Sequence, residues 1–221
     1  MEAAAVICAA GASARMGGIK KEYQKLDSGL TVLGSAVLAF ASVHSIELIV
    51  IAVCAGTQDT ARAALAPETL SAQKPKVLFV NGGESRRASV FNALSLLPQY
   101  TPSYVLIHDG ARPWVTASLI NDTLENVKKH GAVIPLLPVT DTPKEYGSGF
   151  ITRHLKRANT GTAQTPQGFK FPEIFYAHQK AAEIKDEEFT DDAEIWGRFY
   201  GPVAIIPGDP ENRKITFRED I

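Results

Sequence analysis

Several segments of this chain combine small residues with charged side chains in patterns that suit phosphate chemistry. The first segment, Gly11 to Lys25, follows an apolar run and is rich in glycine, serine and cations. Its small residues leave backbone N–H groups open to an anion, and Arg15, Lys20 and Lys21 add full positive charge. The segment matches neither a Walker A loop nor the G-x-G-x-x-G pattern. It therefore suits a polyphosphate, with a plain solvated basic loop as the alternative.

A second segment places a carboxylate where a metal ligand is expected. Asp109 follows the apolar run Tyr104 to Ile107 and precedes Gly110, with Arg112 three residues further on. A carboxylate at a strand end that faces a phosphate loop is a natural Mg²⁺ ligand. The alternative is that Asp109 pairs with Arg112 and only holds the turn. We expect the neighbouring His108 to pack or hydrogen-bond within the fold rather than to act in catalysis.

Two further polar segments also follow apolar runs. Asn81-Gly82-Gly83 ends the third run, and Ser89 lies in the helix predicted after it. The two glycines could bring backbone groups against a nucleobase edge, whereas Ser89 alone would be an ordinary surface serine. Thr140-Asp141-Thr142 follows the fifth run. The chain has no G-x-S-x-G elbow, so a serine hydrolase has no support.

Regular elements must position these segments. Five buried strands are predicted, at Ala3 to Ala10, Leu48 to Val53, Val77 to Val80, Tyr104 to Ile107 and Ala132 to Val139. Helices are predicted between them, at Thr31 to Val43, Gln58 to Leu65, Ser85 to Leu97, and from a Thr116 cap to Gly131. This alternation predicts an α/β fold with a mainly parallel sheet and helices on both faces. Ligands of such sheets bind beyond the carboxyl ends of the strands, so we expect the polar segments to meet at one edge.

The alternation breaks between Thr140 and Gln164, where turn residues and short β-prone pieces predict an inserted β-arm. Afterwards we predict helices at Pro172 to Ile184 and, capped by Thr190, at Asp191 to Phe199, with late strands at Val203 to Ile206 and Lys214 to Phe217. No repeat or linker interrupts the chain. We therefore expect one domain over residues 1–221, with the arm at about 140–164.

Composition excludes several classes of protein. The chain has 221 residues, of which 45% are hydrophobic and 21% charged, and its net charge is −1. These values fit a globular protein and argue against nucleic-acid binding through bulk charge. The two cysteines, Cys8 and Cys54, form no zinc or disulfide pattern. No apolar run approaches the roughly 18 residues of a membrane span, and no signal peptide is apparent. We expect a cytoplasmic protein without nucleic-acid or membrane partners.

Taken in order along the chain, these segments resemble the 2-C-methyl-D-erythritol 4-phosphate cytidylyltransferase family, which couples CTP to methylerythritol phosphate in the non-mevalonate isoprenoid pathway. No single motif establishes this resemblance, but the order and spacing of the motifs over nearly the whole chain do. The resemblance is carried by Ala9-Ala10-Gly11, Arg15-Met16, Lys21-Glu22-Tyr23, Gly82-Gly83-Glu84 with Arg86, Ser89-Val90, His108-Asp109-Gly110-Ala111-Arg112-Pro113, Asp141-Thr142, Arg157, Thr165-Pro166-Gln167-Gly168-Phe169, Thr190-Asp191-Asp192 and Asn212-Arg213-Lys214-Ile215-Thr216.

The resemblance implies a Rossmann-like nucleotidyltransferase fold, a homodimer joined through the β-arm, and a need for Mg²⁺ or another divalent cation. It implies catalytic roles for Arg15 and Lys21 at the triphosphate, and for Arg157 and Lys214 at the methylerythritol phosphate. Arg157 lies on the arm and would serve the partner subunit's active site. The implied nucleotide-binding residues are Ala9, Ala10, Gly11, Ser13, Gly82, Gly83, Glu84, Ser89, Asp109 and Gly110, with Asp109 also the metal ligand. The implied substrate-binding residues are Arg112, Thr140, Asp141, Thr165 and Thr190.

The chain departs from the family pattern at Ser13, Glu22 and Gly110, where a second glycine, a glutamine and an alanine are common. Some family members are fused to the cyclodiphosphate synthase of the same pathway, so the chain could be one half of a bifunctional protein. Two rival functions stay open. A ribitol 5-phosphate cytidylyltransferase would share the CTP site. A non-catalytic nucleotide sensor would be expected to lack one of the residues Arg15, Lys21 or Asp109.

Overall fold

A computed structural model describes residues 1–13, 16–184 and 189–221 of the chain. The strands are β1 (Ala3–Ala9), β2 (Ile46–Val53), β3 (Lys76–Asn81), β4 (Tyr104–Asp109), β5 (Ala132–Pro138), β6 (Lys144–Gly147), β7 (Phe150–His154), β8 (Gly161–Ala163), β9 (Gln167–Lys170) and β10 (Ala204–Pro207). The helices are α1 (Val32–Ala41), α2 (Gln58–Ala63), α3 (Pro67–Ser71), α4 (Arg86–Leu94), α5 (Ala117–His130), α6 (Phe171–Glu183) and α7 (Asp192–Phe199).

Within the described residues, eight strands form one sheet in the order β10-β5-β9-β4-β1-β2-β3, with β8 beside β5. Strands β4, β1, β2 and β3 run parallel, and β10 runs parallel to β5. Strand β9 lies antiparallel between β4 and β5. The predicted α/β fold with a mainly parallel sheet is therefore confirmed.

Two local predictions are wrong, and one strand was not predicted. Strand β9 was missed because Gln167–Lys170 carries a glycine and a single large apolar residue. The predicted strand at Lys214 to Phe217 does not form, and this segment is a loop held by side chains instead. Helix α7 is capped by Asp191, whose carboxylate accepts the Glu194 N–H at 2.8 Å. The Thr190 hydroxyl is directed to the Glu194 carboxylate, at 2.9 Å, so it cannot be the cap.

The two faces of the sheet bury alternate residues of the central strands. On one face Ile7 packs in a cluster with Leu33 and Phe40 of α1, whereas on the other face Val6 packs in a cluster with Leu94 of α4 and Trp196 of α7. Burying a large apolar side chain stabilises a fold by about 1.5–3 kcal/mol. Packing on both faces fixes the positions of the strands, and with them the positions of the carboxyl ends of β1, β3 and β4.

Within the predicted arm, β6 and β7 form an antiparallel hairpin separate from the main sheet, whereas β8 pairs with β5 of the main sheet. Its apolar side chains are strongly exposed, at 80% for Tyr146, 77% for Phe150 and 54% for Ile151. Apolar side chains of this size are more often buried in a folded protein. None of the helices in the described ranges has the length and apolar character that a membrane crossing requires.

Candidate functional site

A cavity of about 420 Å³ lies at the carboxyl ends of β1, β3 and β4. Of the four polar segments that follow strands, those after β1, β3 and β4 meet there, together with the segment near the C-terminus. The lining residues are Cys8, Ala10, Gly11, Ala12, Ser13, Lys21, Glu22, Gly83, Glu84, Ser85, Arg86, Ser89, Asp109, Ala111, Lys214 and Thr216.

Asp109 is the buried centre of the charge cluster in this cavity. Its Oδ2 lies 2.7 Å from Nζ of Lys214 and its Oδ1 lies 3.2 Å from Nε of Arg86. The third cation, Arg112, lies further away, with Nε at 3.9 Å from Oδ2. Burial disfavours the charged form, but the charges of Arg86 and Lys214 outweigh it and hold the pKa of Asp109 well below its ordinary value. Asp109 is therefore ionised. Its main partners are Arg86 and Lys214, and not Arg112, which the sequence offered as a partner.

Arg86 connects this cluster to a second buried carboxylate outside the cavity. Its Nη2 lies 2.8 Å from Oδ2 of Asp192, a side chain with no exposed surface. Oδ1 of Asp192 lies 3.1 Å from Nε2 of His178, which is also buried. One guanidinium thus spans two carboxylates, on β4 and on α7.

The loop after β1 turns back on itself at Ser13. Ser13 has a φ of 51°, and its carbonyl accepts the N–H groups of Met16 at 2.9 Å and Gly18 at 3.2 Å. The Lys20 ammonium donates to the Gly11 carbonyl at 2.8 Å and lies 3.1 Å from Sγ of Cys54. Lys20 therefore braces the loop and is not among the cavity-lining residues. Arg15 lies outside the described residues.

Lys21 and Glu22 are buried side by side and both line the cavity. The Lys21 ammonium donates to the Ile215 carbonyl at 2.8 Å, which joins the loop after β1 to the segment that carries Lys214. Burial raises the pKa of the Glu22 carboxyl. Its Oε2 lies 3.4 Å from Oγ of Ser13. Two of the three departures from the family pattern thus contact each other.

The turn after β3 needs both of its glycines. A Cβ on Gly82 would lie 2.3 Å from Cβ of Ala10, and one on Gly83 would lie 2.4 Å from Cβ of Ala88. The Gly83 N–H donates to Oγ of Ser89 at 3.0 Å, and this hydroxyl donates to the Ser85 carbonyl at 2.9 Å. Ser89 is buried and is therefore not an ordinary surface serine. It fixes the turn that forms one wall of the cavity.

His108 is a structural residue, as expected. Burial lowers its pKa to about 4, so its ring is neutral. Nε2 lies 3.1 Å from the Arg112 carbonyl and, as the donor, leaves Nδ1 to accept the Thr165 hydroxyl at 3.0 Å. The same hydroxyl accepts the Asp109 N–H at 3.1 Å. This chain of hydrogen bonds fixes the end of β4 and occupies the hydroxyl of Thr165.

The segment that carries Lys214 is anchored on both sides. Arg112 donates to the Asn212 carbonyl at 2.8 Å, and the Ile215 N–H donates to the Ala111 carbonyl at 2.9 Å. The Arg213 guanidinium lies 3.9 Å above the Trp114 ring. These contacts hold the segment as a loop in place of the predicted strand, and they position the Lys214 ammonium beside Asp109.

The remaining predicted site residues that the structure describes are not among the residues that line the cavity. Thr140, Asp141 and Thr190 are exposed. Arg157 is exposed on the arm side, and its Nη1 donates to the Thr140 carbonyl at 2.9 Å. Ala9, Gly82, Gly110, Arg112 and Thr165 do not line the cavity either. Seven of the ten predicted nucleotide-binding residues therefore line the cavity (Ala10, Gly11, Ser13, Gly83, Glu84, Ser89 and Asp109), whereas none of the five predicted substrate-binding residues does.

A divalent cation bound in this cavity would need ligands from a substrate as well as from the protein. Among the described residues, no group of three or more His, Cys, Asp or Glu side chains could hold a metal ion. Asp109 lines the cavity together with Glu22 and Glu84, and its neighbouring cations hold its pKa well below the ordinary value. Mg²⁺ is commonly bound by one or two carboxylates together with substrate phosphates. The donor set therefore suits a cation that arrives with a polyphosphate.

The sequence assigned no role to Arg86, Asp192 or His178, although Arg86 and Asp192 stood in motifs. One signal was available at Asp191-Asp192. Only one residue can be the N-cap of a helix, so the second aspartate of the pair needed another partner. The identity of that partner depends on packing between α4, α6 and α7, which local spacing does not encode.

Comparison with known proteins identifies a family. The family model described as IspD, 2-C-methyl-D-erythritol 4-phosphate cytidylyltransferase, matches residues 3–221. A bifunctional enzyme IspD/IspF from Mesorhizobium japonicum is 37% identical over 99% of this chain and 53% of its own length. One from a Bradyrhizobium species is 42% identical over 98% of this chain and 54% of its own length. The chain thus spans about half the length of these curated relatives.

Solved structures agree with the family model. The 4-diphosphocytidyl-2C-methyl-D-erythritol synthase of Anaerococcus prevotii has a TM-score of 0.84 to this chain at 27% identity, covering 99% of this chain and 92% of the other. The similarity therefore extends over the whole fold, including the elements that surround the cavity.

Proposed function

We propose that this chain, which belongs to the 2-C-methyl-D-erythritol 4-phosphate cytidylyltransferase family, transfers the cytidylyl group of CTP to 2-C-methyl-D-erythritol 4-phosphate. The products are 4-diphosphocytidyl-2-C-methyl-D-erythritol and pyrophosphate. The observation that carries this proposal is the cavity itself. Arg86 and Lys214 converge there on the carboxylate of Asp109, and Lys21 lines the same cavity together with the loop after β1 and the glycine turn after β3.

In the proposed reaction an oxygen of the acceptor phosphate attacks the α-phosphorus of CTP. The bond from this phosphorus to the oxygen that bridges it to the β-phosphorus breaks, and pyrophosphate leaves. The attacking phosphate is already ionised near pH 7, so no general base is needed. This agrees with a neutral, fully hydrogen-bonded His108. The side chains must instead align two anions and stabilise charge that grows on the phosphoryl oxygens.

Lys21 suits that task because its ammonium lines the cavity and is held by the Ile215 carbonyl. By the family resemblance, Arg15 would act beside it. The Gly82-Gly83 turn and Ser89 form the wall that we assign to the cytosine ring. Asp109 would hold Mg²⁺ or another divalent cation together with triphosphate oxygens. When bound, this cation would neutralise part of the phosphate charge.

At the acceptor end, we propose that Lys214 and Arg157 bind the methylerythritol phosphate, with Arg112, Thr140, Asp141, Thr165 and Thr190 around it. Arg157 would act from the arm of a partner subunit, in a homodimer joined through residues 140–164. The exposed Tyr146, Phe150 and Ile151 support this pairing, because a partner would cover them. Residues 1–221 would form one nucleotidyltransferase domain. Cys8 and Cys54 are free thiols, which agrees with a cytoplasmic location.

Pyrophosphate release with CTP and Mg²⁺ tests the proposal, with methylerythritol phosphate and ribitol 5-phosphate as alternative acceptors. We expect release with methylerythritol phosphate only. Release with ribitol 5-phosphate only would support the assignment of the CTP site and would reject methylerythritol phosphate as the acceptor. CTP binding without release on either acceptor would favour the non-catalytic sensor. Such a sensor would be expected to lack one of Arg15, Lys21 or Asp109, and Lys21 and Asp109 both line the cavity.

A further inference from the structure

We propose that Asp192 and His178 are positioning residues that hold Arg86, and through it Asp109, in the geometry that binds CTP. This inference rests on the proposed function and deepens it by adding two residues that lie outside the cavity lining. Neither of them can touch CTP directly, because both side chains, His178 on α6 and Asp192 on α7, are buried outside the cavity lining.

The side chains form a relay that connects five parts of the fold. His178 on α6 holds Oδ1 of Asp192 at 3.1 Å, and Oδ2 of Asp192 lies 2.8 Å from Nη2 of Arg86 on α4. Nε of Arg86 lies 3.2 Å from Oδ1 of Asp109 on β4. Lys214 completes the series at 2.7 Å from the other oxygen of Asp109. Each link fixes the orientation of the next.

Arg86 needs this second carboxylate. Its side chain lines the cavity and remains 28% exposed, so a single contact with Asp109 would leave the guanidinium free to rotate. A planar guanidinium that is bound at two nitrogens by two carboxylates has one orientation. The position of Asp192 is in turn rigid, because it lies in the first turn of α7 and has no exposed surface.

A purely electrostatic role for Asp192 and a positioning role predict opposite effects on CTP affinity, which makes the inference testable. If Asp192 contributed only its charge, its neutralisation would make the cavity more positive and would tighten the binding of an anionic triphosphate. If it positions Arg86, the same change should weaken CTP binding. We expect Asp192→Asn to raise the Kd for CTP about tenfold, since it removes one partner of a buried ion pair.

The experiment is calorimetric titration of CTP and Mg²⁺ in the absence of acceptor, with Asp192→Asn, Arg86→Met and the double variant. Because Asp192 acts through Arg86, Asp192→Asn should change the Kd by less than about twofold in the Arg86→Met background. Asp191→Asn is the matched control. It removes a charge one residue away but keeps a good N-cap, so the Kd should stay within about twofold of the wild type.

Unchanged or tighter binding by a folded Asp192→Asn variant would overturn the inference, as would an equal loss in both backgrounds. If that variant does not fold, His178→Gln and His178→Leu replace it. Glutamine can still donate to Asp192 and leucine cannot, so the leucine variant should bind CTP several-fold more weakly. Equal affinities of the two would count against positioning. A wild-type chain that fails to bind CTP would instead reject the proposed function itself.

Discussion

The ammonium of Lys214 lies 2.7 Å from Oδ2 of Asp109, although 105 positions separate the two residues in the chain. The pair joins the end of a central strand to a loop near the C-terminus. In the proposed reaction Asp109 belongs to the nucleotide and Lys214 to the acceptor phosphate. Their contact therefore places the two halves of the reaction side by side in one cavity.

Lys21→Ala should lower kcat for pyrophosphate release about 100-fold or more, equivalent to about 3 kcal/mol of transition-state stabilisation. The variant removes an ammonium that lines the cavity and contacts the Ile215 carbonyl. Lys20→Ala is the matched control, because that ammonium braces the loop without lining the cavity. Its effect on kcat should be smaller. A wild-type kcat for Lys21→Ala would remove Lys21 from the proposed mechanism.

Arg157 is expected to act across a subunit interface. Neither Arg157→Ala nor Lys21→Ala homodimers should turn over at the wild-type rate. When the two variants are mixed and exchange subunits, a heterodimer contains one site with both residues intact. Partial recovery of pyrophosphate release is therefore expected. Confirmed subunit exchange without any recovery would place Arg157 outside the partner subunit's site.

His108 should make the stability of the fold sensitive to acid. Its pKa is lowered by burial from 6.5 to about 4. Above pH 6.5 the ring is neutral in both states, so its contribution is fully present. Below that pH the unfolded chain takes up a proton that the folded chain rejects, and the free energy of unfolding falls by about 1.4 kcal/mol per pH unit until pH 4.

Urea denaturation of the wild type and of His108→Gln at pH 7 and pH 4.5 tests this expectation. The variant lacks the titrating ring but keeps every carboxylate, so the difference between the two proteins isolates His108. The wild type should lose about 2–3 kcal/mol more than the variant over this range. Equal losses would mean that His108 titrates normally in the folded protein.

Gly82→Ala should weaken CTP binding and lower the free energy of unfolding by about 1–3 kcal/mol. The added Cβ would lie 2.3 Å from Cβ of Ala10 and 2.8 Å from Oγ of Ser89, so the turn must move. Gly197→Ala is the opposite case. It lies inside α7 with no atom near its added Cβ, and should stabilise the fold by about 1 kcal/mol. Denaturation and CTP titration of both variants would separate a local clash from a general glycine effect.

Much of the fold followed from the sequence because it depends on local patterns. Continuous apolar runs predicted β1, β2 and β4, and the Thr116 cap with Gly131 predicted the limits of α5, as found. Strand β9 could not be predicted in this way, because a four-residue strand with a central glycine carries little pattern. Its antiparallel position between β4 and β5 is set by the rest of the sheet.

The sequence by itself determined that a loop of small and basic residues, a glycine turn and Asp109 would meet beyond the carboxyl ends of parallel strands. Strand polarity and short connections are enough for that conclusion. Only the tertiary structure decided which cations neutralise Asp109. Arg86 and Lys214 were brought to it by helix packing and by an anchored loop, and the nearby Arg112 was drawn to the Asn212 carbonyl instead. Such pairings depend on burial and on contacts between residues far apart in the chain, which spacing along the chain does not encode.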